Sequence, residues 1–182
     1  MAVPFFILAG EFMNAGGLSR RIVEMAGAFV GHLRGGLGYV AIFAAILLAS
    51  LSGSAVADTA ALAAILVPMM RQAGYDPARA CGLMAAGGII APVIPLSIGF
   101  LLFGVVANVS ITKLFLAGIV PGVMMGGALV IAWWLVSRRT SMQVAPRKPW
   151  GERLVLLGKG FWALLLPVII IGGLKFGIFT PT

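Results

Sequence analysis

The sequence ASLSGSAVADTAAL, residues 49–62, places hydroxyl groups and a carboxylate between two of the most apolar segments of the chain. Its polar side chains are Ser50, Ser52, Ser54, Asp58 and Thr59. Asp58 is the only charged residue between positions 36 and 70. A polar cluster in such surroundings needs a structural or functional reason.

The length of the apolar region around this cluster argues against one straight helix. Residues 36–70 would form a helix of roughly 50 Å at about 1.5 Å per residue, whereas the hydrocarbon core of a bilayer is about 30 Å thick. Serine and glycine are poor residues for a helix interior, so the break belongs at Ser52, Gly53 and Ser54. We therefore predict a re-entrant helical hairpin over residues 36–73, with its tip at residues 52–54.

The composition indicates an all-α polytopic membrane protein. Of the 182 residues, 61% are hydrophobic and 10% are charged, compared with roughly a quarter charged in soluble domains. The net charge of +8 is concentrated between the apolar runs, which favours membrane topology over nucleic-acid binding as its cause. Cys81 is the only cysteine; we predict that it is a small core residue and expect no transition-metal site.

The apolar runs divide the chain into a series of predicted segments. These are a membrane helix over 1–17 that begins abruptly, an interfacial arm helix over 18–35, the hairpin over 36–73, a discontinuous membrane helix over 78–107, membrane helices over 114–137 and 154–179, and a basic cytoplasmic loop over 138–153. The arm helix is predicted from an apolar stripe of Ile22, Met25, Ala26, Phe29 and Val30. The pair Trp133 and Trp134 is typical of a membrane interface.

The basic residues test the hairpin independently of its length. If residues 36–70 enter and leave the membrane on one side, most basic residues fall on that side. They are Arg20, Arg21, Arg34, Arg71, Arg79, Arg138, Arg139, Arg147, Lys148 and Arg153. A single crossing would divide this set between the two sides. The positive-inside rule therefore favours the hairpin and places this side in the cytoplasm.

The hairpin tip has the chemistry of an ion site. Backbone groups at membrane depth must face protein or a water-filled cavity. The carbonyls that end the first arm attract cations, and the amides that open the second attract anions. Gly53 allows the reversal and Ser54 is a candidate N-cap. Ser52, Gly53, Ser54 and Asp58 are candidate ion-binding residues, although Asp58 could equally stabilise the helix N-terminus or pair with an arginine, and the serines could be caps.

A second break is predicted in residues 85–104, AAGGIIAPVIPLSIGFLLFG. Pro92 and Pro95 remove backbone donors and release carbonyls near Gly88 and Ala91, and carbonyls are hard oxygen ligands for alkali and alkaline-earth cations. The candidates here are Gly88, Ala91 and Ile94 for the ion, and Ser54, Pro92, Pro95 and Ser97 for a substrate cavity. A proline kink without a ligand is the alternative. A hairpin tip that faces a discontinuous helix is typical of secondary transporters.

Motifs along almost the whole chain resemble the large membrane subunit of the tripartite ATP-independent periplasmic (TRAP) transporters, of the DctM type. They are PFFILAGEFMNAGGLSRRIV, GHLRGGLGYVAI, SGSAVADTAALAAILVPMM, the GYD loop, IAPVIPLSI, VSITKLFLAGIVPG and GIFTPT. The chain departs from the family where a glycine and a double proline are common, since it has Ala91 and the pair Pro95 and Leu96. It also resembles only the first half of a family member, which predicts a fragment.

The resemblance implies one inverted-repeat half of an elevator-type permease in the bacterial inner membrane. It implies sodium as the coupling ion, no other cofactor, a small membrane subunit and a periplasmic binding protein as partners, and organic acids such as C4-dicarboxylates, sialic acid or sugar acids as substrates. The ion and cavity positions carried over are Ser52, Gly53 and Ser54 at the tip and residues 91–97 at the break.

Two other functional classes compete with transport. An aspartyl hydrolase requires two carboxylates that share a site, and a serine hydrolase requires a nearby base. The other acids, Glu11, Glu24, Asp76 and Glu152, form no comparable motif, and His32 lies beside Arg34 at a predicted helix end. We therefore expect no enzyme. A truncated, non-transporting membrane scaffold is the second alternative.

Overall fold

Helices and the turns between them account for the regular structure of the described chain. The computed structural model describes residues 8, 12, 15–95, 97–138 and 149–175, and no strand occurs in them. The helices are α1 (Leu18–Val30), α2 (Gly36–Ser52), α3 (Ala55–Gln72), α4 (Pro77–Gly88), α5 (Ile98–Val106), α6 (Ile111–Arg138) and α7 (Trp150–Lys175). Most of the predicted 1–17 helix, most of the 138–153 loop and residues 176–179 lie outside the described part.

Helices α2 and α3 form a helical hairpin around a two-residue break. Helix α2 ends at Ser52 because Gly53 adopts a left-handed conformation with φ 60°, which costs glycine less than any other residue. Ser54 is extended, and its hydroxyl accepts the amide hydrogen of Ala57 at 3.4 Å. The predicted N-cap is therefore confirmed, and the two arms pack against each other.

Helix α2 is the centre of the fold. It contacts α1, α3, α4, α6 and α7, and almost every residue on it is buried or partly buried. Its small residues Ala41, Ala44, Ala45 and Ala49 are all buried. Because lipid is as apolar as a leucine side chain, close packing over small residues, rather than exclusion from water, stabilises helix contacts inside a bilayer.

Helix α6 is the one described helix that is long and apolar enough to cross a membrane, with 28 residues. Three of its four glycines face the hairpin and the break. A Cβ at Gly126 would approach Ile46 to 2.8 Å, one at Gly122 would approach Ile94 to 3.0 Å, and one at Gly118 would collide with the Val93 carbonyl. The spacing of four residues places these glycines on one face, so α6 lies close against α2 and the break.

The tryptophan pair on α6 corrects one prediction. Trp134 is 43% exposed, whereas Trp133 is only 4% exposed, and its indole nitrogen donates a hydrogen bond of 2.9 Å to the Gly35 carbonyl. Its ring stacks on Tyr75 at a centroid distance of 6.2 Å. Adjacent helical residues face different directions, so only one of the two tryptophans can have an interfacial exposure.

One prediction about burial is wrong. Cys81 is exposed, because α4 buries the face that carries Ala80, Leu83 and Met84. On α1, three residues of the apolar stripe, Ile22, Met25 and Ala26, are buried inside the protein, whereas Phe29 is 40% exposed. The interfacial position of α1 stays a prediction.

Candidate functional site

The hairpin tip is held by a short chain of hydrogen bonds between side chains and backbone. The Ser52 hydroxyl donates to the Asp58 carboxylate and accepts the Ser54 amide hydrogen at 3.2 Å. The Asp58 amide donates to the Ser54 carbonyl at 3.0 Å. Residues from both arms thus meet across the turn at Gly53.

Asp58 is the one acid among the buried polar residues of the described chain, with an exposed fraction of 2%. Its Oδ1 accepts from Ser52, whereas its Oδ2 is buried and has no hydrogen-bond partner among the described residues. It lies in the first turns of α3, where the helix dipole favours a negative charge. A buried carboxylate oxygen without a partner is costly, and a cation is one group that would satisfy it.

The break lies between α4 and α5, where residues 89–95 form turns and a bend. The Gly88 carbonyl accepts the Ala91 amide hydrogen at 3.2 Å, and the Ile90 carbonyl accepts that of Val93 at 3.0 Å. The sequence predicts a free carbonyl at Gly88, but in the structure this carbonyl is engaged in a tighter turn. A carbonyl oxygen has two lone pairs, so one position remains for a further ligand.

The structure brings the tip and the break together. Ile90, Ala91 and Ile94 pack with Ala49 in one buried cluster, against which Ala55 also packs. Gly88 lies so close to the first turns of α3 that a Cβ there would collide with the Thr59 hydroxyl and lie 3.5 Å from the Ala55 carbonyl. Thr59 contributes to this contact; the sequence places it in the polar cluster, but it was not selected as a site residue because a threonine within a helix carries no distinct signal.

The predicted residues of the break lie in different environments. Ala91, Ile94 and Pro95 are buried, and Pro92 is exposed. Ser97 is fully buried at 0% exposure, and its hydroxyl caps α5 by accepting the Phe100 amide hydrogen at 3.1 Å. Of these predicted residues, Pro92 is therefore the exposed one and the others are buried.

The N-termini of α3 and α5 and the C-termini of α2 and α4 all belong to this region. The two N-termini carry a partial positive charge and the two C-termini carry a partial negative charge. The arrangement can therefore hold a cation near carbonyl oxygens and an anion near free amide groups. The site thus combines opposite helix ends with one buried carboxylate.

A cavity of about 470 Å³ lies between α4 and α6 and is lined mainly by apolar residues such as Leu83, Leu129 and Trp133. None of the four predicted substrate-cavity residues lines it.

Near the same end of the molecule, burial raises the pKa of the Tyr75 phenol. The phenol of Tyr75 therefore remains neutral at physiological pH, and Tyr75 contributes to the packing through the ring that stacks on Trp133.

The chain is similar to large permease proteins of TRAP transporters. The chain is 58% identical over its full length to the 2,3-diketo-L-gulonate TRAP transporter large permease protein YiaN of Escherichia coli K12, and covers 43% of that protein. It is 41% identical to the C4-dicarboxylate TRAP transporter large permease protein DctM of Pseudomonas aeruginosa, again covering 43%. It is also 41% identical to the sialic acid TRAP transporter permease protein SiaT of Haemophilus influenzae, of which it covers 30%.

The chain spans less than half the length of these relatives. Residues 1–182 match the family of the DctM component of the tripartite ATP-independent periplasmic transporters. The match covers the hairpin, the break and α6 alike. The chain therefore belongs to the DctM family of TRAP transporter large permeases.

Proposed function

We propose that this chain forms part of the permease of a sodium-coupled secondary transporter that imports organic acids. The observation that carries the proposal is the contact between the hairpin tip and the proline break, beside the buried carboxylate of Asp58. A discontinuous helix that meets a hairpin at membrane depth is the way in which many secondary transporters build their binding site.

Sodium would bind at the tip, through hard oxygen ligands. The candidates at the hairpin are Ser52, Gly53, Ser54 and Asp58, and those at the break are Gly88, Ala91 and Ile94. The chemistry of these donors fits an alkali cation, because they supply backbone carbonyls, hydroxyls and one carboxylate. Sodium would act as a transported co-substrate that orders the tip against the break.

The acid substrate would lie on the side of the free helix amides. The candidate residues are Ser54, Pro92, Pro95 and Ser97. Ser54 and Ser97 each cap a helix with their side chains, so their contribution to an anion is through the N-terminal amides that they organise. Names of relatives support a sugar acid, a C4-dicarboxylate or sialic acid as the substrate class.

The proposal extends to topology and partners. The permease would lie in the bacterial inner membrane, with α1 at the interface, α2 and α3 as a re-entrant hairpin and the 138–153 loop in the cytoplasm. It would work with the small TRAP membrane subunit and a periplasmic binding protein, and would move the substrate by an elevator motion. A non-transporting scaffold is the alternative function, and an enzyme is not proposed.

The test is uptake by the complete transporter in proteoliposomes. The full permease that contains this sequence, its small subunit and its binding protein are assembled, and uptake of labelled 2,3-diketogulonate, succinate and sialic acid is measured. We expect uptake of one acid class that requires an inward sodium gradient and is lost when potassium replaces sodium. Equal uptake in both salts would contradict sodium coupling, and absence of uptake for every acid would favour the scaffold.

A further inference from the structure

The Asp58 carboxylate reaches backward across the turn to the opposite arm of the hairpin. It accepts the hydroxyl hydrogen of Ser52, the last residue of α2. The same hydroxyl oxygen accepts the backbone amide hydrogen of Ser54. A side chain of α3 therefore fixes, through one hydroxyl, the end of α2 and the start of α3.

This chain of bonds determines where the backbone of the tip points. Gly53 is the only residue between Ser52 and Ser54, and its φ of 60° belongs to a region in which glycine has wide freedom. Without a constraint from its neighbours, the turn could adopt many conformations, and ordering it would oppose ion binding. The bonds to Ser52 remove that freedom in advance.

We propose that Asp58 is a positioning residue of the ion site, which acts through the Ser52 hydroxyl to hold the tip in its binding geometry. The inference rests on the proposed sodium coupling and deepens it. It narrows the set of candidate ligands given above: Asp58 acts on the ion through Ser52 and does not contact it directly, so that Ser52 and Asp58 form a single functional unit.

The two oxygens of the carboxylate make this role testable. Oδ1 holds Ser52, whereas Oδ2 has no hydrogen-bond partner among the described residues. In Asp58→Asn, the amide oxygen can keep the bond from Ser52 while the nitrogen takes the place of Oδ2. In Asp58→Ala, the acceptor is lost. A direct ionic ligand would be damaged by both changes, since both remove the charge.

The first measurement is the sodium concentration that gives half-maximal uptake in the complete transporter. We expect Ser52→Ala and Asp58→Ala each to raise it about tenfold, as for the loss of one hydrogen bond to a charged acceptor. The double variant should show no further loss, because both changes remove the same bond. Asp58→Asn should recover most of the affinity that Asp58→Ala loses.

The second measurement is the rise in unfolding temperature that sodium produces in the purified complex, since a bound ion stabilises the folded state. It should follow the same order of variants and does not depend on turnover. Ser50→Ala is the matched control, because the Ser50 hydroxyl bonds to Leu47 within its own arm at 2.7 Å. This control should behave as the unmodified protein in both measurements.

The outcomes separate this inference from the proposed function. Multiplying losses in the double variant, or equal losses in Asp58→Asn and Asp58→Ala, would overturn the positioning role while sodium coupling stands. If the unmodified transporter shows no sodium dependence in uptake or in unfolding, the proposed function fails and this inference fails with it.

Discussion

The residues of this site differ in how far the sequence alone predicts their structural roles. Gly53 and Ser54 act locally, through a left-handed turn and a cap, and such roles follow from residue type. The hydrogen bond from Ser52 to Asp58 depends on how the two arms pack. The sequence therefore predicts a polar cluster, but not which of its side chains bond to each other. The inward position of Trp133 depends on a contact with Gly35, far away in the sequence.

Gly88, the last residue of α4 before the break, lies against the first turns of α3. We expect Gly88→Ala to separate the two helices, because the new Cβ would collide with Thr59, and to lower sodium affinity and uptake by about tenfold. A clash of this kind costs about 1–3 kcal/mol. Sodium-dependent uptake by the complete transporter is the measurement.

Gly82→Ala is the control for this substitution, since it lies on the same helix with open space around it. It should leave uptake unchanged. Adding Thr59→Ala to Gly88→Ala should restore part of the activity by removing the hydroxyl. A loss in Gly82→Ala equal to that in Gly88→Ala would indicate a general effect on α4 and would contradict a specific contact.

Helix α6 shows how an element can be predicted correctly while its role stays hidden. Its length and apolarity follow from composition, and the structure gives it bounds close to those predicted. Its glycines, however, have no meaning until their neighbours are known. The packing of Gly118 against Val93 and Phe100, and of Gly126 against Ile46, makes α6 the support for both the hairpin and the break.

This packing predicts a graded response to alanine along α6. Gly118→Ala meets the backbone carbonyl of Val93, which cannot move alone, and should lower the free energy of unfolding by about 1–3 kcal/mol. Gly126→Ala meets the flexible end of Ile46 and should cost less. Gly127→Ala, which meets nothing within 4 Å, should have little effect or stabilise the helix slightly.

Unfolding of the purified permease in a mild denaturant series measures this order. Because all three substitutions add the same methyl group to the same helix, differences in helix propensity cancel. An equal response at the three positions would contradict the contact of α6 with the break.

The whole molecule combines a charge pattern with a helical arrangement that was predicted only in outline. The membrane class follows from 61% hydrophobic residues and a mean hydropathy of +1.10. The contacts of α2 with α1, α3, α4, α6 and α7 do not follow from composition, because inside a bilayer many apolar faces are chemically equivalent. Glycine contacts and single hydrogen bonds then select one packing, and these lie between segments distant in the sequence.

The topology of the hairpin is the property of the whole molecule that sequence and structure predict jointly. Helices α2 and α3, of 17 and 18 residues, are each short for a crossing of about 30 Å at about 1.5 Å per residue. We therefore expect the hairpin to bring its two ends to one side of the membrane. Arg34→Cys and Gln72→Cys, at two exposed positions, are made separately in a protein in which Cys81 is replaced by serine. Both variants should react with an impermeant maleimide that is applied from the cytoplasmic side.

A cysteine at Val109, exposed in the turn before α6, supplies the comparison from the opposite side. Because α6 is long enough to cross the membrane once, Val109 and the segment after Arg138, which is predicted to be cytoplasmic, should lie on opposite faces, and the Val109→Cys variant should react only from the periplasm. Labelling of Arg34 and Gln72 from opposite sides would mean that α2 and α3 cross as one span. In that case the turn at Gly53 would lie inside a single membrane crossing, and the basic residues before and after it would lie on opposite sides of the membrane.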